Sequence, residues 1–248
     1  MNFVKLYDIN IYNGTLNQLL SWILHGSKKG FVVTTNVDHI VKLKKDETFQ
    51  KAYQKASLVL PDGKPLLWSA WFIGSPLHQR ITGVDLFYRL LPLCEKNNKS
   101  IYLLGAEDEV RKKALARIAD EYPLLTVSGS CSPPLGFEKD EKKNNIIIKA
   151  INKAKPDFLF IFLGAPKQEK WIYQHIDELE IQLAFCLGAS LDFFAGRFKR
   201  APRWMQDIGC EWFWRMACDH RLIKRYLVDD LLPFLKLTIK EIWTARFS

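Results

Sequence analysis

No stretch of this 248-residue chain is apolar over the roughly 18 consecutive positions that a helix needs to cross a bilayer. The first residues, MNFVKLYDINIYNG, have neither a basic n-region nor an apolar h-region, so a secretory signal is not expected. Cysteine is scarce: Cys94, Cys131, Cys186, Cys210 and Cys218 make an odd set without a CxxC pair, as expected of reduced packing thiols in the cytoplasm. The histidines at 25, 39, 78, 175 and 220 are scattered, whereas a metal site needs clustered ligands. GxxxxGK[ST], GxGxxG after the first strand, GxSxG and HExxH are all missing, which removes the P-loop, dinucleotide, hydrolase-elbow and zincin readings. Asp-x-Asp is missing too, and with it the usual carboxylate clamp for a metal on a nucleotide diphosphate. Neither a metal site nor a cofactor is expected.

What the chain does have is positive charge and a regular alternation. The formal charge of +9 calls for anionic partners: phosphates, nucleic acid or an acidic membrane face. Apolar β-rich runs recur at 31–35, 58–60, 101–105, 124–128, 158–164 and 183–188, with amphipathic helical stretches such as 107–122 and 139–155 between them. Strands alternating with helices predict an α/β fold: a Rossmann-like, mostly parallel sheet covered by helices. Three runs end in Leu-Gly, at Gly105, Gly164 and Gly188. Ligands of such sheets sit beyond the carboxyl ends of the strands, so the loops there are the expected site.

The strand ends carry the candidate chemistry. VVTTNVDHI delivers Thr34, Thr35 and Asn36 together, a set that suits sugar hydroxyls, although Asn36 or Thr35 also reads as a plain helix cap. LVLPDGKPLLW delivers Asp62 in a Pro-Asp-Gly turn. The turn alone explains an Asp, but a carboxylate held on a rigid strand end near Trp68 and Trp71 also suits a general base toward a hydroxyl. Arg80 offers a bidentate fork to a diphosphate, and ITGVDLFYRLL opens a helix with Asp85 in its first turn. In FLGAPKQEKW, Pro166 reads as the first helical residue, with Lys167 and Gln168 placed for a phosphate or a sugar hydroxyl. Glu169 reads as a complement to the helix dipole.

The composition changes near residue 195. Residues 197–225 hold eight Arg and Lys against three Asp and Glu, and Ala201-Pro202 is a good helix start. Beyond them, Leu227, Leu231, Phe234, Leu235, Thr238 and Ile242 fall near one helical face, interrupted by Pro233. The chain therefore divides into an α/β catalytic domain, 1–195, and a basic amphipathic helical C-terminal appendage, 196–248. That appendage suits either an interfacial anchor or a helix packed on its own domain.

TTNVDH, LPDGKPLLW, ITGVDL, LLG, FLGAPKQE and CLGASLDFFAGRFKRAPRWMQDIGCEWFWR follow one another in the order of the WecG/TagA/CpsF glycosyltransferase motifs, which the chain resembles from about residue 30 to 225. The resemblance implies an inverting, metal-independent bacterial transferase. It would move a sugar from a UDP-sugar to undecaprenyl-diphosphate-linked N-acetylglucosamine, peripherally, on the cytoplasmic face of the plasma membrane. Its product would feed teichoic acid, common antigen or exopolysaccharide synthesis. By the same resemblance Asp62 is the catalytic base. Thr34, Asn36, Arg80, Asp85, Gly105, Gly164, Lys167, Gln168 and Asp192 belong to the substrate pocket, and Arg200, Arg203, Arg215, Arg221 and Arg225 face acceptor and anionic membrane. Cys210 and Cys218 depart from the family pattern. A nucleic-acid-binding module is the alternative from another class, since basic charge with interleaved aromatics also makes a stacking groove. A UDP-sugar hydrolase would keep the same pocket. By the same resemblance the sugar is N-acetylmannosamine, its uronic acid or glucose.

Overall fold

A computed structural model describes residues 1–26, 28–218 and 224–247. All six apolar runs become strands of one parallel sheet: β3 (Gly30–Thr35), β4 (Leu58–Pro61), β5 (Ile101–Gly105), β6 (Val127–Cys131), β7 (Phe158–Phe162) and β8 (Leu183–Cys186), in the order β4-β3-β8-β7-β5-β6. Except for the edge strand β6 they are buried along their whole length, because helices cover both faces. Alternate strand residues feed two cores. Val33, Leu159, Ile161 and Ala184 face one, and Val32, Leu103, Phe160 and Phe185 the other.

The helices are α1 (Leu16–His25), α2 (Val37–Leu43), α3 (Glu47–Lys55), α4 (Lys64–Ile73), α5 (Gly83–Lys96), α6 (Asp108–Glu121), α7 (Glu141–Ala154), α8 (Lys167–His175), α9 (Ser190–Phe194), α10 (Arg203–Asp207), α11 (Glu211–Cys218) and α12 (Leu232–Phe247). A π-helical turn, Arg225–Leu231, leads into α12. Phe87 of α5 shows how tightly one layer closes. Its ring meets Phe160, Phe162 and Phe194 edge-on at 5.2, 5.4 and 5.4 Å.

Two local differences from the sequence reading have physical causes. The run at 124–128 starts its strand only at Val127. Leu124 is 83% exposed, and its amide donates to Glu95 Oε1 at 2.8 Å instead of to the sheet. Ahead of the first parallel strand lies a hairpin, β1 (Phe3–Leu6) and β2 (Ile9–Tyr12), closed by Tyr7 at φ 53° and Asp8 at φ 66°. Both turn residues take the left-handed conformation of a two-residue hairpin, normally marked by Asn-Gly, so the composition gave no signal.

The C-terminal stripe is only partly used for packing. Phe234 and Thr238 are buried as α12 lies against α2 and α4, whereas Leu227 and Leu235 are exposed. The wider π-helical turn before α12 rotates the earlier residues out of register with the later ones, and Pro233, which has no amide to donate, follows directly on that turn. Thr238 Oγ1 gives its proton to the Phe234 carbonyl, so the Tyr7 hydroxyl donates to Thr238 at 2.9 Å and ties the hairpin to the last helix. Phe234→Ala should loosen this contact by about 3 kcal/mol. Limited proteolysis should then cut α12 faster than in the wild type.

Candidate active site

β3 and β4 run in register, with Thr35 opposite Pro61, so the next residues, Asn36 and Asp62, emerge side by side. The Asp62 amide donates to the Thr35 carbonyl at 2.7 Å, which fixes the Pro-Asp-Gly turn to the neighbouring strand. Gly63 then turns at φ 112°, a conformation that a side chain would strain, and starts α4. Ile81 donates to the Pro61 carbonyl at 2.8 Å, bringing Arg80 and Thr82 to the same end of the sheet. At Gly83 an added Cβ would meet Ser190 Oγ at 3.0 Å and the Leu187 carbonyl at 3.2 Å, so α5 abuts the turn after β8.

The result is a cleft of about 360 Å³ at the carboxyl ends of β4, β3, β8 and β7. Thr34, Asn36, Asp62, Arg80, Gly164, Gln168 and Arg200 all line it. The starts of α2, α4, α5 and α8 line it as well, through Val37, Lys64, Gly83 and Gln168, and helix starts present free amides and positive dipole ends. Asn36 also serves as the cap of α2, accepting from the His39 amide at 3.2 Å. One residue therefore both lines the cleft and caps a helix.

The cations of the cleft are held in an alternating chain. Arg80 pairs with Glu211 of α11. Glu211 reaches Arg200 at 3.7 Å, Arg200 donates to Asp85 Oδ1 at 2.7 Å, and Thr82 Oγ1 donates to Asp85 Oδ2 at 2.8 Å. Burial alone would raise the Asp85 pKa, but the hydrogen bonds from Arg200 and Thr82 outweigh it and hold the carboxyl below its usual range. Burial likewise works against the charge on Arg200, yet Asp85, Glu211 and Asp62 hold its guanidinium above the ordinary value. Asp62 thus lies within electrostatic reach of Arg200.

Behind the strand ends is a second polar layer. Tyr53, fully buried, donates its hydroxyl proton to the Thr34 carbonyl at 2.9 Å, so His39 must donate from Nδ1 to the same hydroxyl at 2.6 Å. Gln168 is fixed at both ends: its Oε1 accepts from the Gly188 amide at 3.0 Å and its Nε2 donates to Glu169 Oε1 at 2.8 Å. Glu169, read from the sequence as a dipole complement, is buried completely, with no hydrogen-bond partner for Oε2 among the described residues, and burial pushes its pKa up to about 7.

Other residues singled out in the sequence lie elsewhere. Asp85 stands behind the lining, as the anchor of Arg200. Gly105 ends β5 beside β7, with the Ala106 amide on the Phe162 carbonyl at 2.9 Å. Lys167 points away from Gln168, because consecutive helical residues diverge, and its ammonium lies 3.7 Å from Glu138. Asp192 pairs with Arg197 at 3.3 Å, and burial raises its pKa despite that pairing. Arg203 is exposed at the start of α10, outside the lining. Arg221 lies outside the described residues, and for Arg215 and Arg225 only the backbone is described. Trp68 and Trp71 are 47% and 66% exposed, turned outward by α4 rather than walling Asp62. Tyr226 and Asp230 of the π-helical turn do line the cleft. The two adjacent carboxylates inside LVDDLL, an otherwise apolar run, were the available signal for Asp230. Among the described residues no group of three or more His, Cys, Asp and Glu converges as a metal site.

The model of the glycosyl transferase WecG/TagA/CpsF family matches residues 4–247. The chain is similar to the N-acetylglucosaminyldiphosphoundecaprenol N-acetyl-beta-D-mannosaminyltransferase of Bacillus subtilis (strain 168), 30% identical over 243 residues, covering 96% of this chain and 91% of the relative. The protein of the same name in Staphylococcus aureus (strain MRSA252) is 30% identical over 227 residues, covering 90% of this chain and 87% of the relative.

Glu169 generates a pH prediction. A free Glu titrates near 4.3, and at about 7 in the fold the native state holds the extra proton between those values. The stability associated with that proton is complete below the lower value and lost as pH rises through the upper one. Glu169→Gln removes the loss, so its melting temperature should gain on the wild type from about pH 5 to about pH 8, by the equivalent of up to ~3 kcal/mol. Parallel melting curves at both pH values would refute this.

Proposed function

This chain belongs to the WecG/TagA/CpsF glycosyltransferase family and is a glycosyltransferase, and we propose that it transfers an N-acetylmannosaminyl residue from a UDP-sugar to undecaprenyl-diphosphate-linked N-acetylglucosamine. The acceptor and the sugar follow the names of its relatives. The observation that carries the chemistry is the position of Asp62, pinned by its amide to Thr35 inside a cleft that also holds Arg80 and Arg200. Asp62 takes the proton of the acceptor hydroxyl as that oxygen attacks the anomeric carbon. The bond to the UDP oxygen breaks on the opposite face, which inverts the anomeric centre and gives the β product named for the relatives. Thr34, Asn36 and Gln168 hold sugar hydroxyls. Arg80, Arg200, Lys64 and the free amides at the helix starts take up the charge of the departing diphosphate, which displaces Glu211 from Arg80, so no metal is needed for that role.

No helix among the described residues is long and apolar enough to cross a membrane. The enzyme works peripherally on the cytoplasmic face of the plasma membrane, where the C-terminal helices meet acceptor and anionic lipid, and its product enters surface polysaccharide synthesis of the teichoic acid type. Asp62→Asn should lower kcat by about 10²–10⁴-fold while UDP binding, read by calorimetry, persists; undiminished turnover would remove Asp62 from the role. Mass analysis with UDP-N-acetylmannosamine should show a disaccharide product only when a short-chain prenyl-diphosphate N-acetylglucosamine is supplied. Free sugar released in its absence would point to hydrolysis instead.

A further inference from the structure

Helix α4 is apolar on more sides than its packing requires. Leu66 and Ala70 are buried, yet Trp68, Trp71 and Phe72 are 47, 66 and 60% exposed, and the Trp71 and Phe72 rings meet at 4.9 Å. A helix needs one apolar stripe to dock on its domain, so the second face is not explained by folding. Its neighbours continue that face. The α10–α11 turn rests on α4, with the Trp68 ring 3.1 Å from where a Cβ on Gly209 would stand, and Trp204 of α10 and Ile208, which follows that helix, are exposed one turn apart. On the other side α12 packs against α4 and presents Leu232, Leu235, Ile239 and Trp243, spaced three to four residues apart, to solvent. Lys64 is the one charge on α4, and Arg203, Lys236, Lys240 and Arg246 are the exposed cations of α10 and α12.

We propose that α4, a helix of the catalytic fold itself, is the element that enters the headgroup layer of an anionic bilayer, with α10 and α12 completing the surface. This rests on the reading that the acceptor is lipid-linked. Apolar patches of this extent mark interaction sites, Trp favours the membrane interface, and the surrounding Lys and Arg are attracted to anionic lipid. A second copy of the chain fits less well, since a two-fold contact through this face would set the same cations against each other. The geometry also suits a lipid-borne substrate. Trp71 and Phe72 lie roughly 10–12 Å along α4 from Lys64 at the edge of the cleft, so the aromatic end can sink about 5–10 Å while the cleft stays level with the headgroups.

The test uses the full-length enzyme and vesicles of phosphatidylcholine with or without phosphatidylglycerol, without donor or acceptor. Trp71→Ser/Phe72→Ser should weaken partition onto the anionic vesicles by about tenfold or more with an unchanged melting temperature. Transfer to a long-chain acceptor in those vesicles should fall in parallel, while transfer to a short-chain soluble acceptor stays the same. Trp71→Phe should keep partition and lower the share of the emission that brominated lipid quenches. Unchanged partition of the double variant overturns the proposal, as does a double variant that only converts an oligomer to monomers. Because partition is read without substrates, failure to transfer to any acceptor would count against the function proposed above and leave the partition result standing.

Discussion

The charge chain Asp85–Arg200–Glu211–Arg80 is the constraint on which the cleft depends, because it joins the first turn of α5 to the segment that follows residue 195. Exposed ion pairs contribute only about 0–1 kcal/mol, whereas breaking a buried one costs ~3–5 kcal/mol. These side chains are 14–35% exposed, so they fall between the two regimes. Their greater effect is positional. Two guanidiniums are brought to the end of a parallel sheet and kept extended by the acids between them.

The sheet does the rest of the positioning. Parallel strands in register put consecutive loop residues at one height, which is why Asn36 and Asp62, far apart in sequence, share a wall. Tyr53, His39, Gln168 and Glu169 form a polar backing that holds the strand-end backbone and one amide side chain in fixed orientation.

Much of this was legible in the chain. Apolar runs gave the strands, because buried parallel strands need no alternation; the polar residues at and beyond their ends gave Thr34, Asn36, Asp62 and Gln168 in the cleft, and the motif ahead of α5 gave Arg80. What escaped depends on distance in sequence or on context. Glu211 read as one acid in a basic segment, yet it partners Arg80, 131 residues away. Asp85 and Lys167 share motifs with lining residues but project behind or away from the cleft, a matter of rotation about a helix axis that a motif does not encode. Trp68 and Trp71 stand near Asp62 in sequence and face outward in the fold, because the Gly63 turn sets the direction of α4. Glu169 and the Tyr7-Asp8 turn broke local rules, by burying a carboxylate and by taking left-handed backbone without glycine or asparagine.

The contact between Tyr7 and Thr238 joins the first hairpin to the last helix, and Tyr226 and Asp230, just before that helix, form part of the cleft wall. During synthesis all six parallel strands leave the ribosome before those residues do. A nascent chain can therefore complete its sheet while one side of the cleft is still missing, and the cleft wall closes only once the π-helical turn has also been made.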